Sequence, residues 1–204
     1  MNRPNILFQT PVSLPRNIGS LWLLLMVVIV AGKTSAQDAL TITTNHYLVS
    51  GTSLRELRRS IDHARPGGAR DGSDGLTAWQ IKWRTRINSA NGECRLTSFE
   101  ITTTVGISLP SWRAPTNAPP DLMKRWLAYY SALQRHEQYH SQSAQLAAKA
   151  LRERVQALGV QLDCKTLEQR IKHTAEAVIT EFRKRDEDYD RKTDHGRKEG
   201  ASLP

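Results

Sequence analysis

The chain has 204 residues, 29 Lys plus Arg against 20 Asp plus Glu, a formal charge of +9 and 39% apolar residues. That balance excludes a collagen-like chain, a long coiled coil, a multi-span membrane protein and a fully disordered chain. Aromatics are only 6%, so a core has to rest on aliphatic side chains and the five Trp.

Residues 1–36 read as a secretory signal peptide. Arg3 and Arg16 make a basic start, Leu21 to Ala31 is an unbroken apolar run, and Thr34-Ser35-Ala36 offers small residues for cleavage before Gln37. The run is too short for a span of about 20 residues, so no stable membrane insertion is expected after cleavage. Residues 37–204 form the expected single domain. Without Arg3, Arg16 and Lys33 its charge is +6, a modest surplus that gives no reason to expect nucleic acid as a partner in an exported protein. Its two cysteines, Cys94 and Cys164, are expected to pair in an oxidising compartment.

In chain order, Leu40 to Val49 alternates as a strand. Ser53 and Glu56 are spaced as a capping box, and a short helix runs to about Ala64 with Leu54, Leu57 and Ile61 inward. Pro66-Gly67-Gly68 stops it. Trp79, Ile81, Trp83 and Ile87 alternate with Gln80, Lys82, Arg84 and Arg86 as a half-buried strand. A turn is expected over Asn88 to Glu93, with Asn91-Gly92 at its end. The next strand shows Phe99, Ile101, Val105, Ile107 and Leu109 on one face. Cys94 and Leu96 fall on the other, which predicts a bulge near Thr97. Pro110 is expected to end that strand.

A long helix is predicted from Asp121, as its cap, to the Gly159 stop. Its inward stripe runs through Leu122, Trp126, Tyr130, Leu133, His136, Glu137, His140, Ala144, Ala147, Leu151, Val155 and Leu158. A second helix is predicted from about Thr166 to Asp188, followed by a charged tail. Together these elements predict an α+β fold. A mixed sheet of three or four strands packs on the first long helix, with the second beside it.

The sharpest signal is His136-Glu137-Gln138-Tyr139-His140, an H-E-x-x-H motif. Six His and ten Glu in this length make a chance match about a one-in-a-hundred event. The i, i+4 spacing puts both imidazoles on one helix face, where they can share a cation. Glu137 leans to the same side and is placed as general base for a metal-activated water. Three ionisable groups inside an apolar stripe would cost several kcal/mol if left unpaired, and a metal offsets that cost. A catalytic zinc usually takes three protein ligands. Ser143 and Leu146 exclude the H-E-x-x-H-x-x-G-x-x-H extension. Glu168, Glu176, Glu181, His173 and His195 remain as third donors. His46 and His63 belong to no such pattern.

The ordered motifs resemble the bacterial DUF922 family. They are Gly51-Thr52 with Leu54 and Leu57, Thr77-Ala78-Trp79 before Trp83, Cys94, Leu109-Pro110-Ser111-Trp112, Trp126 ahead of His136-Glu137 and His140, then Tyr189-Asp190, Thr193, His195-Gly196 and Gly200-Ala201. The resemblance implies a small zincin-like domain and a secreted or periplasmic zinc-dependent endopeptidase with one Zn2+ per chain. Its T-x-H-G tail favours His195 as the third ligand beside His136 and His140. Glu137 would be the base and Tyr189 an oxyanion donor, with Asp190 or Asp194 orienting an imidazole. A peptide or protein substrate could add to a sheet edge along Phe99 to Leu109. The same residues would also suit a non-catalytic, metal-stabilised envelope binding module, or an amidase acting on a peptidoglycan peptide. Oligomeric state is not legible from these residues.

Overall fold

The computed structural model describes residues 38–66 and 72–203. The segment read as a signal peptide lies outside them. The first element, β1 (Ala39–Val49), leads into α1 (Leu54–Ala64). The Ser53 side chain accepts from the Glu56 N–H, as a cap should. The reciprocal bond lands one residue earlier than the capping box predicts, because the Glu56 carboxylate takes the N–H and hydroxyl of Thr52. Leu57 and Ile61 form the buried face.

Strand β2 (Leu76–Ala90) and strand β3 (Glu93–Trp112) form a hairpin. The expected six-residue turn contracts to Asn91-Gly92, with φ of 53° and 72°. Positive φ at both central residues matches the twist of the flanking strands, so the ladder extends to the last residue on each side. The predicted bulge is present: Arg86 pairs with Ser98 and Ile87 with Leu96, leaving Thr97 over. That extra residue moves Cys94 onto the buried side.

The sheet order is β1-β3-β2, with β1 parallel and β2 antiparallel to β3. Phe99 to Leu109 therefore lies in the central strand, and the expected free edge there does not exist. The edges are β1 and β2. Pro110 does not end β3, which continues to Trp112 and pairs Pro110 with Tyr47. At that point β2 has already ended, opposite Ser108. The proline sits where a missing N–H costs no bond to β2.

Helix α2 (Pro120–Gln156) starts at Pro120 with no side-chain cap, and Asp121 lies inside its first turn, where it opposes the positive helix end. Helix α3 (Cys164–Thr193) is longer than predicted at both ends. Asp163 caps it through the Thr166 N–H at 2.7 Å. Its last turns carry Tyr189 and Asp190, which the sequence pattern assigned to a tail. A short 3-10 turn (Arg197–Glu199) follows.

Two apolar clusters fill the space under the sheet. One joins Ile81, Phe99 and Ile101 to Leu151, Ile171 and Phe182. The other joins Leu57, Ile61, Leu109, Trp126 and Leu133 to Leu203 of the C-terminal segment. The α2 stripe runs through both, and His136, Glu137 and His140 occupy the interval between them. The disulfide Cys94–Cys164 ties the start of β3 to the start of α3. No helix among the described residues is long and apolar enough to cross a membrane.

Candidate metal centre

Helical spacing brings three α2 side chains to the interval between the clusters. His136 and Glu137 are each 2% exposed and His140 is 6%. The α3 stripe meets them with Asp186 and Asp190, one turn apart, where its apolar run through Val178 and Phe182 gives way to acids. His136 Nε2 lies 3.0 Å from Asp190 Oδ1, and His140 Nε2 lies 2.9 Å from the same oxygen. The two Nε2 atoms are 3.4 Å apart.

These separations fit a shared cation. Donors about 2.0–2.2 Å from a tetrahedral zinc stand roughly 3.3–3.5 Å from one another, and His136, His140 and Asp190 need only small adjustments to reach that spacing. The outer imidazole nitrogens support the same reading. His140 Nδ1 lies 3.4 Å from Asp186 Oδ1, and His136 Nδ1 lies 3.7 Å from Glu199 Oε2. His136 Nδ1 and Asp186 Oδ1 are buried without a hydrogen bond in this arrangement. A carboxylate behind each ring favours the Nδ1–H tautomer and turns the Nε2 lone pair inward. Two inward lone pairs and a carboxylate oxygen then require a positive charge between them.

Without a metal, a proton fills that need. Burial pulls the His140 imidazolium down, but the carboxylates of Asp186 and Asp190 beside it outweigh this and push its pKa up to about 10. For Asp190, burial raises the pKa, yet the bonds to His136 and His140 win and hold it well below the ordinary carboxylate range.

Glu137 stands beside the cluster. Burial raises its pKa, while the Thr77 bond and the two imidazoles pull it back. The Thr77 hydroxyl donates to Glu137 Oε2 at 2.6 Å. Gly75 presses on the same carboxylate: a Cβ there would collide with Glu137 Oε1. The Gly75 backbone is held in place by its neighbour, since the buried Asp74 accepts both Arg58 guanidinium nitrogens, at 2.6 and 2.7 Å, and the Tyr129 hydroxyl at 2.9 Å.

The other sequence candidates are placed as follows. His195 lines the same cleft of about 220 Å³, with Nδ1 3.9 Å from Asp190 Oδ1, outside the three-donor cluster. Asp194 and His195 both adopt left-handed backbone, with φ of 54° and 51°, and the following Gly196 backs onto His136. Tyr189 stacks between Tyr139 and His136, and its hydroxyl donates to Glu199 at 2.8 Å. Asp194 pairs with Arg197. Glu181 pairs with Arg154, and His173 and Glu176 are exposed, so the structure does not bring these α3 side chains to the cluster.

The sequence matches, over residues 44–196, the family described as "Bacterial protein of unknown function (DUF922)". The chain belongs to DUF922. No curated protein and no solved structure matches it. In this DUF922 chain, sequence reasoning treated Asp190 as support for a ligand, whereas its oxygen is one of the three inward donors. Asp186, Glu199, Thr77 and Gly75 were missed. One signal could have found Asp186 and Asp190: they continue the i, i+3, i+4 stripe of Ile171, Ala175, Val178 and Phe182.

Proposed function

We propose that this DUF922 chain is a zinc-dependent endopeptidase that acts in the cell envelope or outside the cell, with a zincin-like site. The observation that carries the reading is the convergence of His136, His140 and Asp190 within 3.4 Å of one another, with the buried Glu137 next to them. His136, His140 and Asp190 would hold the ion. His195, in the same cleft, is the competing third donor. A bound zinc supplies Lewis acidity that brings a water's pKa toward about 7.

The chain's own groups then do the proton work. Glu137 takes the proton of the attacking water and returns it to the leaving amine. Burial raises its pKa, which favours the protonated form it takes up between accepting and returning that proton. The Thr77 hydroxyl and the Gly75 backbone fix its carboxylate. Tyr189 would have to leave Glu199 before its hydroxyl could reach an oxyanion. The cleft beside the donors gives a substrate room, which favours an open coordination position over a closed structural one. The Cys94–Cys164 bond and the leader-like residues 1–36 support an exported protein.

Metal content and turnover test this together. Wild type is expected to bind one zinc per chain and to cut an unfolded protein substrate. His136→Ala, His140→Ala and Asp190→Ala should lose the zinc, and Glu137→Gln should keep it while losing turnover. Zinc lost in His195→Ala and kept in Asp190→Ala would exchange the third ligand. A folded protein that takes up no offered zinc would end the peptidase reading.

A further inference from the structure

The cleft beside the donor cluster is lined by four acids, Glu137, Asp186, Glu187 and Asp190, along with the imidazoles of His136, His140 and His195. Among the described residues, Arg183 is the one Lys or Arg on that wall. Helix register explains its place. Arg183, Asp186, Glu187 and Asp190 are spaced i, i+3, i+4 and i+7, so one stripe of α3 faces the cleft.

The guanidinium lies over an aromatic face. Its carbon lies 5.7 Å from the centre of the Trp79 ring. Trp79 is itself fixed, because its indole N–H donates to Asp186 Oδ2 at 2.8 Å, and the other Asp186 oxygen faces His140. No ion pair joins Arg183 to a carboxylate among the described residues, although Glu187 is one turn away. The cation–π contact places the fork beside the indole and leaves its N–H donors open to a ligand. A flat fork with open donors matches the two oxygens of a carboxylate.

We propose that Arg183 is a specificity residue that binds a carboxylate of the peptide, two or three residues from the bond that is cut. The proposal rests on the peptidase reading above. Seven helical residues separate Arg183 from Asp190, about 10 Å along the axis. An extended peptide covers about 3.3–3.6 Å per residue, so the offset corresponds to roughly three residues, less the reach of the Arg side chain. The acids Asp186 and Glu187 on the same stripe of α3 disfavour negative groups beside them. Arg183, the one Lys or Arg on this wall, accepts negative charge away from the donor cluster and repels Lys there. The carboxylate can belong to an Asp or Glu side chain or to the peptide's C-terminus.

The test uses one quenched-fluorescence peptide scaffold with Glu, Gln or Lys two or three residues to either side of the cut, each with a free or an amidated C-terminus. The zinc-loaded protein is expected to favour Glu over Gln by roughly tenfold in kcat/KM at one of these positions. Arg183→Gln should erase that ratio, Arg183→Glu should turn it toward Lys, and cleavage of the Gln peptide should stay near wild type. A preference confined to free C-termini would assign the carboxylate to the chain end. No preference in wild type, or a preference that survives in Arg183→Gln, overturns the proposal. Binding supplies an independent judge: the Glu137→Gln variant should hold the Glu peptide about tenfold tighter than the Gln peptide, and Arg183→Gln on that background should equalise them. Equal affinities before that second change also overturn it. Absence of cleavage with the binding ratio intact would sink the peptidase reading alone.

Discussion

At the scale of residues, the decisive group is the proton on His140. Its pKa moves from 6.5 in a free chain to about 10 in the fold. A raised pKa means that the His140 pair with Asp186 and Asp190 stabilises the metal-free fold fully below pH 6.5. That stabilisation is lost as pH rises toward 10. Zinc has to displace the same proton, so metal uptake runs the other way. Zinc affinity should rise about tenfold per pH unit up to about pH 10, while the melting temperature of the metal-free protein falls between pH 6.5 and about 10. Competition titrations with a chelator at several pH values measure the slope. A flat profile would mean that His140 is already neutral when zinc arrives.

At the scale of elements, α3 is held at both ends by different means. Its start is pinned to β3 by the Cys94–Cys164 bond and by the mutual backbone hydrogen bonds of Cys94 and Gln161. Its end reaches α2 through Asp186 and Asp190. The bond spans 70 residues of sequence, and cross-linking a loop of that size stabilises by about 4 kcal/mol in the chain-entropy account. Asp190 lies about 39 Å along the helix axis from Cys164. Cys94→Ser with Cys164→Ser is therefore expected to lower the unfolding free energy by about 4 kcal/mol and to leave one zinc per chain. Denaturant unfolding alongside metal analysis checks both. Zinc lost from the folded double variant would mean that the far end of α3 depends on the bond.

At the scale of the whole molecule, the donors sit between two apolar clusters and the C-terminal segment closes one side. Ala201 and Leu203 are buried at 3% and 2% exposure in the second cluster. Between α3 and that anchor lie Gly196 against His136 and Glu199 near His136 Nδ1. Leu203→Ala should cost about 2–5 kcal/mol of stability and weaken zinc retention, because the anchor of the Gly196–Glu199 stretch is cut. Leu162→Ala, at a side chain 86% exposed, should change stability by less than about 0.5 kcal/mol. Thermal melts with and without zinc separate the two effects. Zinc retention unchanged in Leu203→Ala would show that the tail supports the fold but not the site.

Wherever the controlling interaction is local, the sequence by itself determined the outcome. The alternation of Trp79 to Ile87, the Asn91-Gly92 turn, the offset at Thr97, the stripe of α2 and the i, i+4 pair His136 and His140 all depend on neighbours within a few residues. Backbone period and turn chemistry encode such neighbours directly. The two cysteines were paired from redox chemistry and their number. Tertiary structure alone decided which strand is central, the parallel pairing of β1 with β3, and the survival of β3 past Pro110. It also decided that Asp190 faces both imidazoles, 50 and 54 residues away, and that Thr77 and Gly75 hold Glu137 from 60 residues away and more. No period links residues so far apart. Their meeting follows from how α2, α3 and the sheet bury their apolar faces together, and the polar groups carried on those faces are brought to one point by that packing.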